Sequence, residues 1–240
     1  KIITKMMKED ADVGICRYDQ RNENSDVLKV EKPFGFKNLS QDDVIKYYLL
    51  DKFICAVWTS VYKLSIAKSV SFETEIKIGE DRLYQLQILL KAKKTSFINE
   101  ILYHYIINSL SSTHLRASPK NVVGHIDIPN YLHDSEKNIL ITKFEKEFDF
   151  FKLWSICLAV NMVSQWYKCN KKEKKYIKNF FRTLLNRDII DNIIKNKFIA
   201  KQIKLEFFVL KLFGTNFHLF VFPFYKGLRR VLRFFSKEKF

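Results

Sequence analysis

The stretch from Trp58 to His114 constrains the fold of this chain more than any other. It reads WTSVYKLSIAKSVSFETEIKIGEDRLYQLQILLKAKKTSFINEILYHYIINSLSSTH. The order it predicts is a short apolar helix, a loop, an acidic pair, an amphipathic helix, a short strand, an aromatic strand and a Ser/Thr-rich loop. Leu83, Leu86, Leu89 and Leu90 recur at helical spacing after Asp81, so Glu80 and Asp81 stand where a helix begins. Asp at such a place suits an N-cap, because its oxygen accepts a free backbone N–H and its charge suits the helix dipole. The same residue can serve as a general base if burial or Glu80 offsets that dipole. The residues alone leave both readings open.

Two other acidic pairs read as structure. Asp10 and Asp12 precede the apolar Val13, Ile15 and Cys16, whereas ligand-binding carboxylates of open α/β sheets emerge after a buried strand, so they are expected in a helix-to-strand loop. Ser40-Gln41-Asp42-Asp43 before Val44 and Ile45 reads as a capped helix start.

With 240 residues and 47% hydrophobic content the chain can bury a core. The N-terminus has no apolar signal core, and no apolar run approaches the roughly 18 residues of a membrane-spanning helix. A net charge of +16 raises nucleic acid and anionic membrane as partners. Lys far outnumbers Arg, nine of the 42 basic residues being Arg, which argues against nucleic-acid readout. Cys16, Cys55, Cys157 and Cys169 show neither C-x-x-C pairing nor His partners at zinc spacing, and are expected as buried, reduced thiols in a cytoplasmic protein.

In chain order, a helix with Ile3, Met6 and Met7 on one face precedes a strand from Val13 to Tyr18. Residues 19–39 are polar, hold Pro33 and Gly35, and read as a loop; a helix from about Gln41 to Leu50 follows. Tyr103-His104-Tyr105 alternates as a strand, with His104 an ordinary, partly exposed position. Ser118-Pro119 opens a region, 119–240, that is almost wholly helical by periodicity. Phe144, Phe148, Phe151, Trp154 and Leu158 form one stripe there, and Phe180, Phe181, Leu184 and Leu185 another. Lys171 to Lys175 reads as a solvated helix start. In the tail, Phe217, Phe220, Phe224, Leu228, Val231, Leu232 and Phe235 alternate with Lys226, Arg229, Arg230, Arg233 and Lys237, the pattern of a basic amphipathic helix that either lies on anionic lipid or packs on the helices before it.

The run Trp58, Tyr62-Lys63-Leu64, Phe72, Gly79-Glu80-Asp81 with Leu83 and Tyr84, Ile98-Asn99-Glu100, Leu102, Tyr103, Tyr105, Ser111 and Thr113 resembles the second half of the catalytic domain of family 2 glycosyltransferases. These are inverting, GT-A-fold enzymes of bacterial surface-polysaccharide synthesis. The resemblance implies an α/β fold in which residues 1–118 complete a GT-A domain and 119–240 form a mostly helical appendage. It makes Asp81 the catalytic base and assigns acceptor binding to Glu80 and Trp58. Where the family often carries Arg after the aromatic strand, this chain has Ile106 and Asn108. His114 or Arg116 then stands in beside the donor phosphates, with Ser111 and Thr113 in the same loop. Ser60 stands where Lys is common.

The family's opening strand and its Asp-x-Asp metal motif have no counterpart here, so the activity is expected of a longer parent. The divalent metal, Mn or Mg, is expected mainly on residues outside these 240, with no metal ligand assigned within them. The implied function is transfer from a nucleotide-sugar donor to a glycan or lipid-linked acceptor. The expected location is the inner face of the cell membrane, held by residues 217–240 on anionic lipid, without nucleic acid. The alternative is a non-catalytic or degenerate basic helical protein associated with membranes.

Overall fold

The computed structural model describes residues 1–36, 38–54, 56–76, 78–107, 119–164 and 171–214, with the backbone alone for 119–122 and 171–174. The fold is mixed α/β. The chain forms two compact units, Lys1–Arg116 with Asp127–Phe151, and Ala117–Ile126 with Lys152–Phe240. Both the Ser111–Arg116 loop and the tail from 217 to 240 lie outside the described residues, as do Cys55 and Cys169.

The first unit is built on β1, Val13–Arg21. Along one edge it pairs in parallel with β4, Thr95–Ile106, over its whole length, from Val13↔Thr95 to Arg21↔Ile106. A strand has two hydrogen-bonding edges, so two antiparallel partners share the other. β3, Ser60–Tyr62, takes Val13 to Ile15, and β2, Val27–Val30, takes Asp19 to Arg21. α1, Ile2–Glu9, lies against β1, and Gly14 makes this possible, since a Cβ there would meet the Met6 sulfur at 2.6 Å.

Several expectations change here. The polar stretch 19–39 holds the end of β1 and all of β2, a hairpin closed by Asn22 and Asp26. Every residue of β2 is exposed, so no alternation of burial marks it as a strand. On α1, Met6 is buried but Ile3 and Met7 are exposed, because Met6 and Ile2 are the residues that face Gly14. The segment after Trp58 is a 3-10 turn, Val57–Thr59, followed by β3 and only then a four-residue helix α3, Leu64–Ala67. The two expected strands near residue 100 are one continuous β4 whose register shifts opposite Cys16 and Arg17.

α2, Gln41–Leu49, starts as its sequence predicts: the Ser40 hydroxyl accepts from the Asp43 N–H at 3.1 Å. α4, Glu80–Lys91, buries Leu83, Leu86, Ile88 and Leu89 in one core with Val13 and Ile15 of β1 and Val44, Ile45 and Leu49 of α2. Residues 127–151 add Ile128, Leu132, Leu140, Phe144, Phe148 and Phe151 to the same core. Ile128 belongs to α5, Pro119–Tyr131, Leu132 follows it, and the others belong to α6, Asp134–Ser164, which is kinked at Phe144. Burying each such side chain is worth about 1.5–3 kcal/mol.

The second unit is helical. α7 is Lys171–Leu184, α8 is Arg187–Lys195, and a further helix, α9, covers 201–214. Ile177, Phe181, Ile190, Ile193, Ile199, Phe207 and Leu210 are buried in it, as is the free thiol of Cys157. Among the described residues no helix is long and apolar enough to cross a membrane.

Candidate functional site

The acidic pair sits in the first turn of α4, one step later than a capping role requires. Gly79 occupies the N-cap with φ 104°, and no side chain caps the helix. A positive φ costs a residue with a Cβ roughly 1–2 kcal/mol, which accounts for glycine at this point. Glu80 and Asp81 are half-buried. Among the described residues no hydrogen bond or ion pair engages either carboxylate. The next residue, Arg82, carries its guanidinium 4.1 Å over the Phe151 ring. Burial pushes its pKa below the ordinary value, while Tyr48, Asp51 and Asp81 oppose that shift. The Tyr48 hydroxyl donates to the Arg82 carbonyl at 2.8 Å, tying α2 to this turn. Phe72 stacks on Tyr84 at 4.2 Å between centroids, so the segment before Gly79 is anchored to the helix that follows it.

One turn after Asp81, Gln85 donates to the Ser60 hydroxyl at 3.3 Å and to the Tyr62 hydroxyl. Asp81 shares that helix face by its i, i+4 spacing. Gln85 therefore joins the first turns of α4 to β3, two residues beyond Trp58. Trp58 is half-buried among Tyr18, Tyr103 and Tyr105, its ring centroid 4.8, 4.8 and 5.2 Å from theirs. Tyr103 and Tyr105 lie under it tilted by 32° and 36°, and Tyr18 meets it edge-on. The aromatic residues stand in the C-terminal halves of β1 and β4. Residues 92–94 connect α4 to the start of β4.

A second constellation escapes the sequence. The Asp19 carboxylate, on a buried residue, accepts from His104 Nδ1 at 2.7 Å and from Arg21 Nε and Nη2 at 3.1 and 2.9 Å. The Arg21 hydrogen bonds, with that of His104, hold its carboxyl below the usual carboxylate range. His104 is half-exposed, and with Nδ1 committed its Nε2 is the nitrogen left for another partner. One signal was legible: Asp19 falls in phase with the inward-facing Val13 and Ile15, and a carboxylate at such a position needs a partner. Its partner is 85 residues away, which no local pattern reveals.

Asp10 and Asp12 belong to the frame of the first unit. Asp12 is buried, accepts from the Lys93 N–H at 2.8 Å and stands 3.4 Å from Lys63 Nζ. Asp10 closes α1 at φ 47°, so both acids belong to the helix-to-strand connection, as their sequence context predicts. Asn99, at the irregular point of β4, holds residues 31–36 across the strand: its side-chain carbonyl accepts from the Phe34 N–H at 2.7 Å. Arg17 donates to the Asn99 and Glu31 carbonyls, and burial raises the Glu31 carboxyl.

Ser111, Thr113, His114 and Arg116 lie outside the described residues. Among the described residues no three His, Cys, Asp or Glu side chains come together to hold a metal ion. No family model and no curated protein matches this sequence.

Proposed function

We propose that the chain is the acceptor-side part of an inverting, family 2, GT-A-fold glycosyltransferase, transferring a sugar from a nucleotide-sugar donor to a glycan or lipid-linked acceptor. The observation that carries the reading is the contrast among the acids. Asp12, Asp19 and Asp43 are each occupied by named donors, whereas Asp81, in the first turn of α4, is half-buried and engaged by no hydrogen bond or ion pair among the described residues.

In this mechanism the acceptor hydroxyl lies against Asp81. As its oxygen bonds to the anomeric carbon from the face opposite the leaving group, its proton passes to the Asp81 carboxylate. The bond to the nucleoside diphosphate breaks with its electron pair, which inverts the anomeric centre. Glu80 receives a second acceptor hydroxyl, and Trp58, fixed on Tyr103 and Tyr105, offers a flat apolar edge to the sugar ring. Ser111, Thr113, His114 and Arg116 are proposed on the donor side. The divalent metal is assigned to no residue of this chain, and no step passes through it.

The test is transfer itself. A protein containing these residues, supplied with a panel of nucleotide sugars and glycan or lipid-linked acceptors, is expected to release nucleoside diphosphate and form a product of inverted anomeric configuration. Retention of configuration would contradict the role given to Asp81, and no turnover across the panel would favour the non-catalytic alternative.

A further inference from the structure

The second unit carries an amphipathic groove that glycosyl transfer does not use. α7, the start of α8 and the end of α9 enclose a cleft of about 690 Å³. Its floor is apolar, with Phe181, Ile190 and Leu210 buried, and its rim is cationic, with Lys178, Arg182, Arg187 and Lys211. Asp191 engages Lys211, and among the described residues no ion pair engages the other three. Residues 171–214 hold twelve Lys or Arg against four Asp or Glu, so the unit is strongly cationic around this groove.

α9 adds an independent observation. It buries Phe207 and Leu210 on one side, which explains its packing within the unit. On its other side Leu205, Phe208 and Leu212 are 51%, 46% and 59% exposed, and their spacing of three and four makes a continuous apolar stripe. Lys201, Lys204 and Lys211 flank it, and Leu212 also lines the groove. A cationic rim beside an exposed apolar helix face is complementary to a surface that is anionic outside and apolar beneath.

We propose that this groove and the outer face of α9 dock on an anionic phospholipid surface. The lipid phosphate is received by Lys178, Arg182 and Arg187, and Leu205, Phe208 and Leu212 enter the boundary of the acyl chains. This contact stands on residues 178–214 and is independent of both the 217–240 tail and the transfer reaction. The apolar stripe and the dominance of Lys favour lipid over nucleic acid, whose phosphates need no apolar counterpart.

The experiment is co-sedimentation of the full chain with vesicles of phosphatidylcholine, with and without phosphatidylglycerol, over a salt series. Binding is expected only with phosphatidylglycerol, weakening as salt rises. Arg182→Gln with Arg187→Gln is expected to weaken it about thirtyfold, from about 1 kcal/mol for each basic residue. Should that pair lower the melting temperature, Leu205→Ser with Phe208→Ser, at exposed positions, is expected to reduce binding and serves as the test by itself. Arg229→Gln, Arg230→Gln and Arg233→Gln in the tail separate the two surfaces. The proposal is overturned if the groove and stripe variants bind like the parent while the tail variant does not. Equal binding to phosphatidylcholine alone would also overturn it, as would binding of RNA or inorganic phosphate without vesicle binding.

Discussion

The acids of β1 and its approach and those of α4 are chemically alike and placed differently. At β1, Asp12 and Asp19 are buried, and each is held by a backbone N–H or by side-chain donors from Lys63, Arg21 and His104. At the first turn of α4, Glu80 and Asp81 are half-buried, behind a glycine N-cap and next to an arginine that Phe151 and Tyr48 hold in place. A buried carboxylate with its donors satisfied serves the frame, since removing it strands those donors. Glu80 and Asp81, by contrast, are engaged by no hydrogen bond or ion pair among the described residues.

The contrast is broken most readily at Asp12. Asp12→Ala removes the acceptor of the Lys93 N–H and loosens the return from α4 to β4, and a loss of about 1–3 kcal/mol is expected in urea unfolding. A loss below about 0.5 kcal/mol, the range of neutral surface changes, would mean that this carboxylate is no part of the frame. Gly79→Ala is expected to cost about 1–2 kcal/mol through the left-handed backbone at the N-cap, and an unchanged midpoint would show that the turn relaxes. Ser40→Ala is expected to cost about 1 kcal/mol, the ordinary value of an N-cap, with Ser40→Thr close to neutral.

The pH dependence separates the two regions without altering either. The folded pKa of Asp19 lies below its unfolded value, so its contribution is fully present above about pH 4 and is lost as pH falls through the folded value. The stability difference between the parent and Asp19→Asn is therefore expected to close as pH falls below about 4. A difference that grows over that acid range would have the wrong sign for a carboxylate stabilised by Arg21.

Much of the frame was legible because its signals are local. The Ser40 cap lies three residues from the N–H it meets, and Leu83, Leu86 and Leu89 declare a buried helix face by spacing alone. The hairpin strand β2 was not legible, since all four of its residues are exposed and its place is set by pairing with β1. The Asp19–His104 pair was hidden because the β1–β4 register, rather than any motif, joins residues far apart in sequence. At the candidate site, the helix start at Glu80 was legible, but the shift of the N-cap to Gly79 was not: it depends on a positive φ that Asn or Asp can also adopt.

The most direct measurement compares Asp81→Asn with Asp19→Asn in an active protein containing these residues, recording turnover and melting temperature for each. Asp81→Asn is expected to cut turnover on the order of a hundredfold to ten-thousandfold while the melting temperature stays within about a degree of the parent. Near-normal turnover with a lowered melting temperature would contradict the general-base role and return Asp81 to the frame alongside Asp12 and Asp19.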